Sequence, residues 1–595
     1  MADLLIGAWG KRAGELLQRS HAGTYRFGEL TMLERPNVRT SRWTCWLFGE
    51  PVGRGHLRAL PTGQQLLETF AARLQQQGLA ACESLGGRFA LLTLDADTDA
   101  CVLTRDQLGE HPLVLAPFGG GYLFAEHERM LLRALPHSPE PDRLATLDWI
   151  ERGTLPGTST LYAGITRVLY GRRVILSRDG ARQERWWQPS FEGTMGDTPE
   201  EVAARVREAV LSSVARASAG ARRPAVKLSG GLDSACVAAG LHSCDLPNRG
   251  ALALSGVFPA EPEADERDLI EATACHTHLQ LHTIEHDTAR SILAPALEHI
   301  ELWKLPPMTP SLFMWRPLME LASDLEVDRI LDGEGGDELF GVASFLIADM
   351  LARGRLPRAW RLAGCLPEWG RTRGARLRAL RIYGVAPLVP ARIKLRRQQH
   401  DGASSVGAIV PRMHALELAR ARIEDERERP PGPRWWKSQL EMLIDNRDRM
   451  SLGAHYRRCG VDESPPRRHP FIYDQDLIEL LLRVPPSANF DPARDRAVLR
   501  DGMRGLIPET VRTRHAKSHF TSILLNAMRR ETAGLIEPLR SPHAPVRSYV
   551  DAAALDFRIS ALDSASAMLH TMALWRVGIA NRWLIALSNT EEHAT

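Results

Sequence analysis

The segment Leu228-Ser229-Gly230-Gly231-Leu232-Asp233-Ser234 lies between the apolar run Pro224-Ala225-Val226-Lys227-Leu228 and an apolar stretch that begins near Ala235. Its glycines let backbone approach an anion closely, and the hydroxyls of Ser229 and Ser234 can donate to phosphate oxygens. A helix starting at its end would add partial positive charge. Strand, loop and helix in this order make a pyrophosphate cradle, with Leu228, Ser229, Gly230, Gly231, Asp233 and Ser234 as its candidate residues. The alternative is a plain turn. G-x-x-x-x-G-K-[ST] and G-x-G-x-x-G are both absent, so this is neither a P-loop nor a dinucleotide fingerprint. Arg329-Ile330-Leu331 is a second short strand candidate followed by a glycine-containing loop, with helical patterns between the two. That alternation predicts an α/β domain with a parallel sheet flanked by helices.

The loop after the second strand reads Asp332-Gly333-Glu334-Gly335-Gly336-Asp337-Glu338-Leu339-Phe340-Gly341. Four acids interleaved with glycines repel one another if crowded without a cation, so Mg²⁺ is the natural counterweight, with Asp233 and Asp337 as its best pair. A glycine-rich surface loop is the plainer alternative. Far along the chain, Arg514-His515-Ala516-Lys517-Ser518-His519-Phe520 offers a lysine that, taken alone, is an ordinary surface residue.

Residues 25 to 190 read as short strands with turn signals, among them Gly87 to Leu94, Cys101 to Thr104 and Gly119 to Ala125. After Trp186-Trp187 the pattern changes. Glu200 to Ala217 carries Val202, Val206, Val210 and Val214 at helical spacing, which places a boundary near 190–200 and divides the chain into 1–195 and 196–595. Residues 353–400 hold thirteen Arg or Lys against the single acid Glu368. They form either a solvated helical layer or a docking surface for an acidic peptide or partner. The whole chain nearly balances at +3, which gives no case for nucleic acid or membrane as partner. There is no secretory signal pattern, no apolar run of membrane-spanning length and no C-x-x-C pair among the eight cysteines, so the cytoplasm is the expected compartment.

Together the three loop segments resemble the synthetase domain of glutamine-dependent asparagine synthetases and their relatives among the ATP pyrophosphatases. Asp448-Arg449-Met450-Ser451 and Pro470-Phe471 are similar to further landmarks of that family, and Thr104 to Gly109 with Trp186-Trp187 resemble its glutaminase domain. The resemblance implies an α/β protein with an N-terminal, Ntn-type αββα layered domain and a C-terminal adenylating domain carrying a basic insert at about 353–437. It implies ATP and Mg²⁺ as cofactors, Asp233 and Asp337 as metal ligands, Gly333 beside the nucleotide, and Lys517 and Glu334 as catalytic residues.

The departures from the family are specific. Where its glutaminases have a cysteine before a glycine, this sequence has Ile6 before Gly7, and the Asn-Gly oxyanion element is replaced by Trp46-Leu47-Phe48-Gly49-Glu50. The N-terminal domain is therefore expected to be inactive, and the amine must come with the substrate. Position 334 is glutamate, as in asparagine-forming enzymes, where the β-lactam synthetases have tyrosine. The resemblance is greatest to the lasso peptide cyclases, which join a peptide's N-terminal amine to an Asp or Glu side chain of the same peptide. This implies a precursor (core) peptide as substrate, with a leader peptidase and a leader-binding protein as possible partners. A small-molecule amide or β-lactam-type synthetase, and a non-catalytic nucleotide-binding scaffold, remain alternatives. An insert from Leu452 to His469, with Arg457, Arg458, Arg467 and Arg468, is a candidate part of the peptide site.

Overall fold

The computed structural model describes residues 6–592, leaving out 22–23, 28, 55–62, 178–179, 245–249, 288–289, 368–371, 391–392, 394–408, 412–413, 415–416, 418–419, 421–427, 451–454, 456–464, 515–520 and 564–566. Lys517, Arg457 and Arg458 therefore lie outside the described residues. The chain separates into two compact units. The first is Met1–Gln188 with Leu302–Leu305 and Arg447–His455, and the second comprises the remaining residues.

Apolar runs buried on both faces build the first unit. Its strands are β1 (Ile6–Trp9), β2 (Tyr25–Phe27), β3 (Leu30–Met32), β4 (Val38–Arg39), β5 (Trp43–Gly53), β6 (Leu85–Asp95), β7 (Cys101–Arg105), β8 (Val114–Phe118), β9 (Gly121–Ala125), β10 (Thr166–Arg167), β11 (Arg172–Ser177) and β12 (Gly180–Arg185). They form two antiparallel sheets, ordered β10-β8-β9-β1-β3-β2 and β12-β11-β7-β6-β5-β4. Along β5 and β6, Trp46, Phe48, Ala90 and Leu92 enter a core shared with Trp9, Met32, Leu115 and Phe124 of the other sheet. The alternate residues Cys45, Leu47, Phe89 and Leu91 face Leu66, Phe70 and Leu74 of the helix Gln64–Gln77. This is the period-two pattern of strands buried on both faces. With the helix Lys11–Ser20 packed on β1, β3 and β9, the unit is layered helix, sheet, sheet, helix.

After β7 the chain turns around Asp106, whose buried carboxylate accepts the backbone N–H groups of Leu108, Glu110 and His111 at 2.8–3.1 Å. Burial pushes the Asp106 carboxyl above its ordinary value, against the pull of Arg105 and these donors. Arg105 itself donates to Asp448 at 2.9 Å, so the Asp448-Arg449 landmark is packed within this unit.

In the second unit, β13 (Pro224–Lys227), β14 (Leu252–Val257), β15 (Gln280–Glu285), β16 (Arg329–Leu331) and β17 (Arg467–Arg468) form one sheet, ordered β15-β14-β13-β16-β17. All its pairings are parallel. The insert Leu452 to His469, expected at a peptide site, thus ends in an edge strand of this sheet, with Arg467 and Arg468 buried. A helix at Pro199–Ser218 starts on a Thr198/Glu201 capping box and buries Val202, Val206, Val210 and Val214. Leu318, Met319 and Ala322 of the helix Leu312–Asp324 close the core over Ala225, Leu252, Leu254 and Ile330. The basic stretch is helical at Leu356–Ala363 and Arg373–Ala379, with Arg353, Arg355, Arg358, Arg361, Arg373 and Arg378 exposed.

Candidate active site

From β13 the chain builds outward through β14 to β15, then returns to β16 on the opposite side of β13. Such a reversal leaves a crevice at the carboxyl ends of the two central strands, where ligands of open α/β sheets bind. Both candidate loops leave from there, residues 228–234 after β13 and 332–341 after β16.

The first loop is strapped to its neighbours. Leu228 donates its N–H to Leu254 O at 2.8 Å, and its own carbonyl accepts from Ser255 Oγ at 2.8 Å. The Ser229 and Ser234 hydroxyls meet at 3.0 Å, and Gly231 N–H donates to Ser229 Oγ at 3.3 Å. The following helix, Leu232–His242, has Gly231 as its N-cap residue. Gly230 N–H donates to Glu266 at 3.0 Å, and Arg514 clamps that carboxylate at 2.6 Å while also reaching Gly230 O at 3.2 Å. The Arg514 end of the Arg514 to Phe520 segment thus touches the loop.

Glycine is required where the two loops meet. A Cβ on Gly333 would stand 2.5 Å from Ser234 N, and one on Gly336 2.2 Å from Asp233 Cγ. No side chain fits there, so Asp233 and Asp337 are brought to a common point. Nη1 of Arg496 lies 2.8 Å from both Asp233 oxygens and 2.8 Å from Asp337 Oδ1. Burial works against the Arg496 charge, but Asp233, Asp337 and Asp495 raise its pKa above the ordinary arginine value.

Glu334 lies 3.3 Å from the Lys227 ammonium. Asp332 is buried and accepts from His469 Nδ1 at 2.7 Å, Arg467 at 3.1 Å and Glu334 N–H at 3.2 Å. Burial alone would raise its carboxyl, yet His469, Lys227 and Arg467 hold it well below the usual carboxylate range. Burial pushes the His469 imidazole down, against the pull of Asp332. We read the pair as an ionised Asp332 accepting from neutral His469, since two further cations face the carboxylate.

Repulsion among the loop acids therefore does not demand a metal: Arg467, Lys227 and Arg496 supply the counter-charges. The donor set nevertheless suits Mg²⁺. Two carboxylates already converge on one cation position beside the candidate pyrophosphate loop, and Mg²⁺ is held by one or two carboxylates plus substrate phosphates rather than by an all-protein cage. No cluster of three or more His, Cys, Asp or Glu fit to hold a metal is found among the described residues. Glu266, Arg496 and Lys227 escaped sequence reasoning, and Arg467 and His469, in sequence part of an insert expected at the peptide site, instead hold Asp332. The one available signal was the acidic character of the loops, which requires cations somewhere.

Residues 205–585 match the family model for asparagine synthase, and residues 64–187 match that of a glutamine amidotransferase domain. Amidase chyE of Penicillium rubens is 24% identical over 500 residues, 75% of this chain and 71% of that protein. Asparagine synthetase [glutamine-hydrolyzing] 3 of Bacillus subtilis is 24% identical over 455 residues, 72% of this chain and 66% of that protein. Among solved structures, the allosteric regulatory enzyme of purine biosynthesis matches 47% of this chain and 80% of its own at 12% identity and a TM-score of 0.22. No helix among the described residues is long and apolar enough to cross a membrane.

Proposed function

Because the chain belongs to the asparagine synthase family, whose members are ATP-dependent amide ligases, we propose that it closes a macrolactam in a peptide. In this reading an Asp or Glu side chain is adenylated and then joined to the N-terminal amine of the same peptide. The observation that carries the adenylating part is the meeting of the phosphate loop and the acidic loop at the sheet's reversal, with Asp233 and Asp337 at one cation position. The substrate carboxylate attacks the α-phosphorus of ATP, while Ser229, Ser234 and the glycine backbone of the loop hold the departing pyrophosphate. Mg²⁺ on Asp233 and Asp337 would supply neutralisation of the phosphate charge. Lys517 is assigned the same charge-stabilising role, and Glu334 takes the proton of the attacking amine. Holding both ends of one peptide replaces a bimolecular encounter, an advantage of up to roughly 7–11 kcal/mol.

A substrate that brings its own amine is supported by the first strand. Ile6, buried at 1% exposure, carries no nucleophile where the family's glutaminases have cysteine, so no ammonia is to be drawn from glutamine. Glu334 in place of tyrosine argues against a β-lactam product. A leader peptidase and a leader-binding protein are the partners that such a substrate implies. The name of one relative, an asparagine synthetase, is equally compatible with a second reading, a small-molecule amide synthetase.

The test supplies ATP, Mg²⁺ and a synthetic peptide with glycine first and glutamate eighth. AMP, pyrophosphate and a peptide lighter by one water are expected, with only pyrophosphate exchange when the peptide is N-acetylated. A survey in which only free amino acids stimulate exchange, or in which glutamine yields glutamate, transfers the case to the second reading.

A further inference from the structure

Glu334 is held from both ends. At its backbone, the N–H donates to Asp332, which Arg467 and His469 fix in turn. At its carboxylate, Oε1 accepts from Lys227. Both cations share one support: Lys227 Nζ and Arg467 Cζ each lie 4.9 Å from the Trp315 ring centroid. Four separate segments therefore converge, namely the end of β13, the helix Leu312–Asp324, the loop after β16 and the edge strand β17.

The placement of Lys227 is costly unless it serves a purpose. The other residues of β13 are buried, and the half-buried ammonium at its end gives up hydration that the Glu334 carboxylate, the nearby Asp332 charge and an aromatic face make good. A lysine that merely balanced charge could stay on its flexible stem in solvent. This one is pinned, and an ammonium so pinned fixes the direction of the carboxylate that it holds.

We propose that Lys227 is a positioning residue for the amide-forming step, aiming the Glu334 carboxylate at the amine that attacks the acyl-adenylate, with Trp315 as its platform. The inference rests on the amide-ligase reading. In the step, the amine nitrogen bonds to the acyl carbon and the bond from that carbon to the AMP oxygen breaks. The electron pair leaves with AMP, and the amine proton passes to Glu334. Lys227 forms and breaks no bond. Adenylation, which precedes the amine's attack, does not use the carboxylate that Lys227 aims.

The experiment compares Lys227→Met, Lys227→Arg, Trp315→Leu, Glu334→Gln and the double variant Lys227→Met/Glu334→Gln. Two rates are read with the carboxylate that gives the strongest pyrophosphate exchange in wild type: exchange itself, and amide formation with the free amine. Lys227→Met is expected to lower kcat for amide formation about tenfold or more beyond whatever it takes from exchange, the rate equivalent of one charge-assisted hydrogen bond. KM for ATP stays unchanged, Lys227→Arg recovers part of the loss, and Trp315→Leu loses in the same step. The double variant should be no slower than Glu334→Gln alone, because both act through one carboxylate. Equal losses in both half-reactions, or additive losses in the double variant, overturn the inference. Absence of exchange with every carboxylate in wild type overturns the amide-ligase reading and this inference with it.

Discussion

Replacing Arg496 by methionine keeps much of the apolar stem and removes the guanidinium that lies between Asp233 and Asp337. Truncating one partner of a buried ion pair costs about 3–5 kcal/mol, because the other charge is left uncompensated. Here Asp233 is only 15% exposed but Asp337 is 47% exposed, so solvent screens part of the effect and about 2–3 kcal/mol is expected. The two carboxylates are then left no farther apart than twice the 2.8 Å that separates each from Arg496 Nη1. At an effective dielectric of about 20–40 that repulsion alone is roughly 1.5–3 kcal/mol, the same size. For a unit this large a kilocalorie shifts the melting midpoint by only about 1 °C, so a fall of about 2–4 °C without metal is the expected reading. Millimolar Mg²⁺ should restore more of the midpoint in the variant than it adds to wild type, since in wild type the cation must displace or share with Arg496. Differential scanning fluorimetry with and without MgCl₂, on both proteins, decides it. Equal Mg²⁺ shifts in the two proteins, or none in either, would refute the assignment of Asp233 and Asp337 to a shared divalent site.

Gly333→Ala should cut ATP turnover by about a hundredfold, because its Cβ would stand 2.5 Å from Ser234 N and drive the two loops apart by a fraction of their contact distance. Gly196→Ala, whose Cβ meets nothing within 4 Å, is the control, and comparable losses in both would remove the close-contact argument. A second outcome concerns pH: His286 is buried against Phe258, ring centroids 4.9 Å apart, and burial, aided by Arg290, pushes its pKa down to about 4. The folded chain therefore binds fewer protons than the unfolded one between pH 6.5 and 4, so stability falls as pH drops through that window, by about 1–2 kcal/mol at pH 5. Urea midpoints at pH 7.5 and 5 should fall further in wild type than in His286→Phe, and parallel falls would assign the acid sensitivity elsewhere.

What could be read in the sequence and what could not divides along contact range. The helix Pro199–Ser218 is written in the four-residue spacing of its valines, and β6 in the apolar run Gly87 to Leu94, because those signals arise between near neighbours, whereas β5 stands out only as the stretch that replaces an oxyanion element. The phosphate loop is legible for the same reason: glycines, hydroxyls and a helix start all fall within seven residues. The cations of the site are not. Arg496 pairs with Asp233 across 263 residues and Arg467 with Asp332 across 135; nothing in a sequence of 75 basic residues marks Arg496, and Arg467 stands out only as part of an arginine-bearing insert, not as a partner of Asp332. The inference that the crowded acids call for a metal was sound as local electrostatics, since like charges in one loop do require a counter-charge. It could not see that the fold returns arginines and a lysine to the same place. This bears on mechanism as well as on prediction. A loop whose acids are already neutralised by fixed side chains can be assembled before any ligand arrives, and a cation or phosphate entering it then exchanges with partners that are present rather than ordering a disordered site. Such exchange costs less reorganisation than folding a loop around a ligand, which is what electrostatic preorganisation means in terms of named residues.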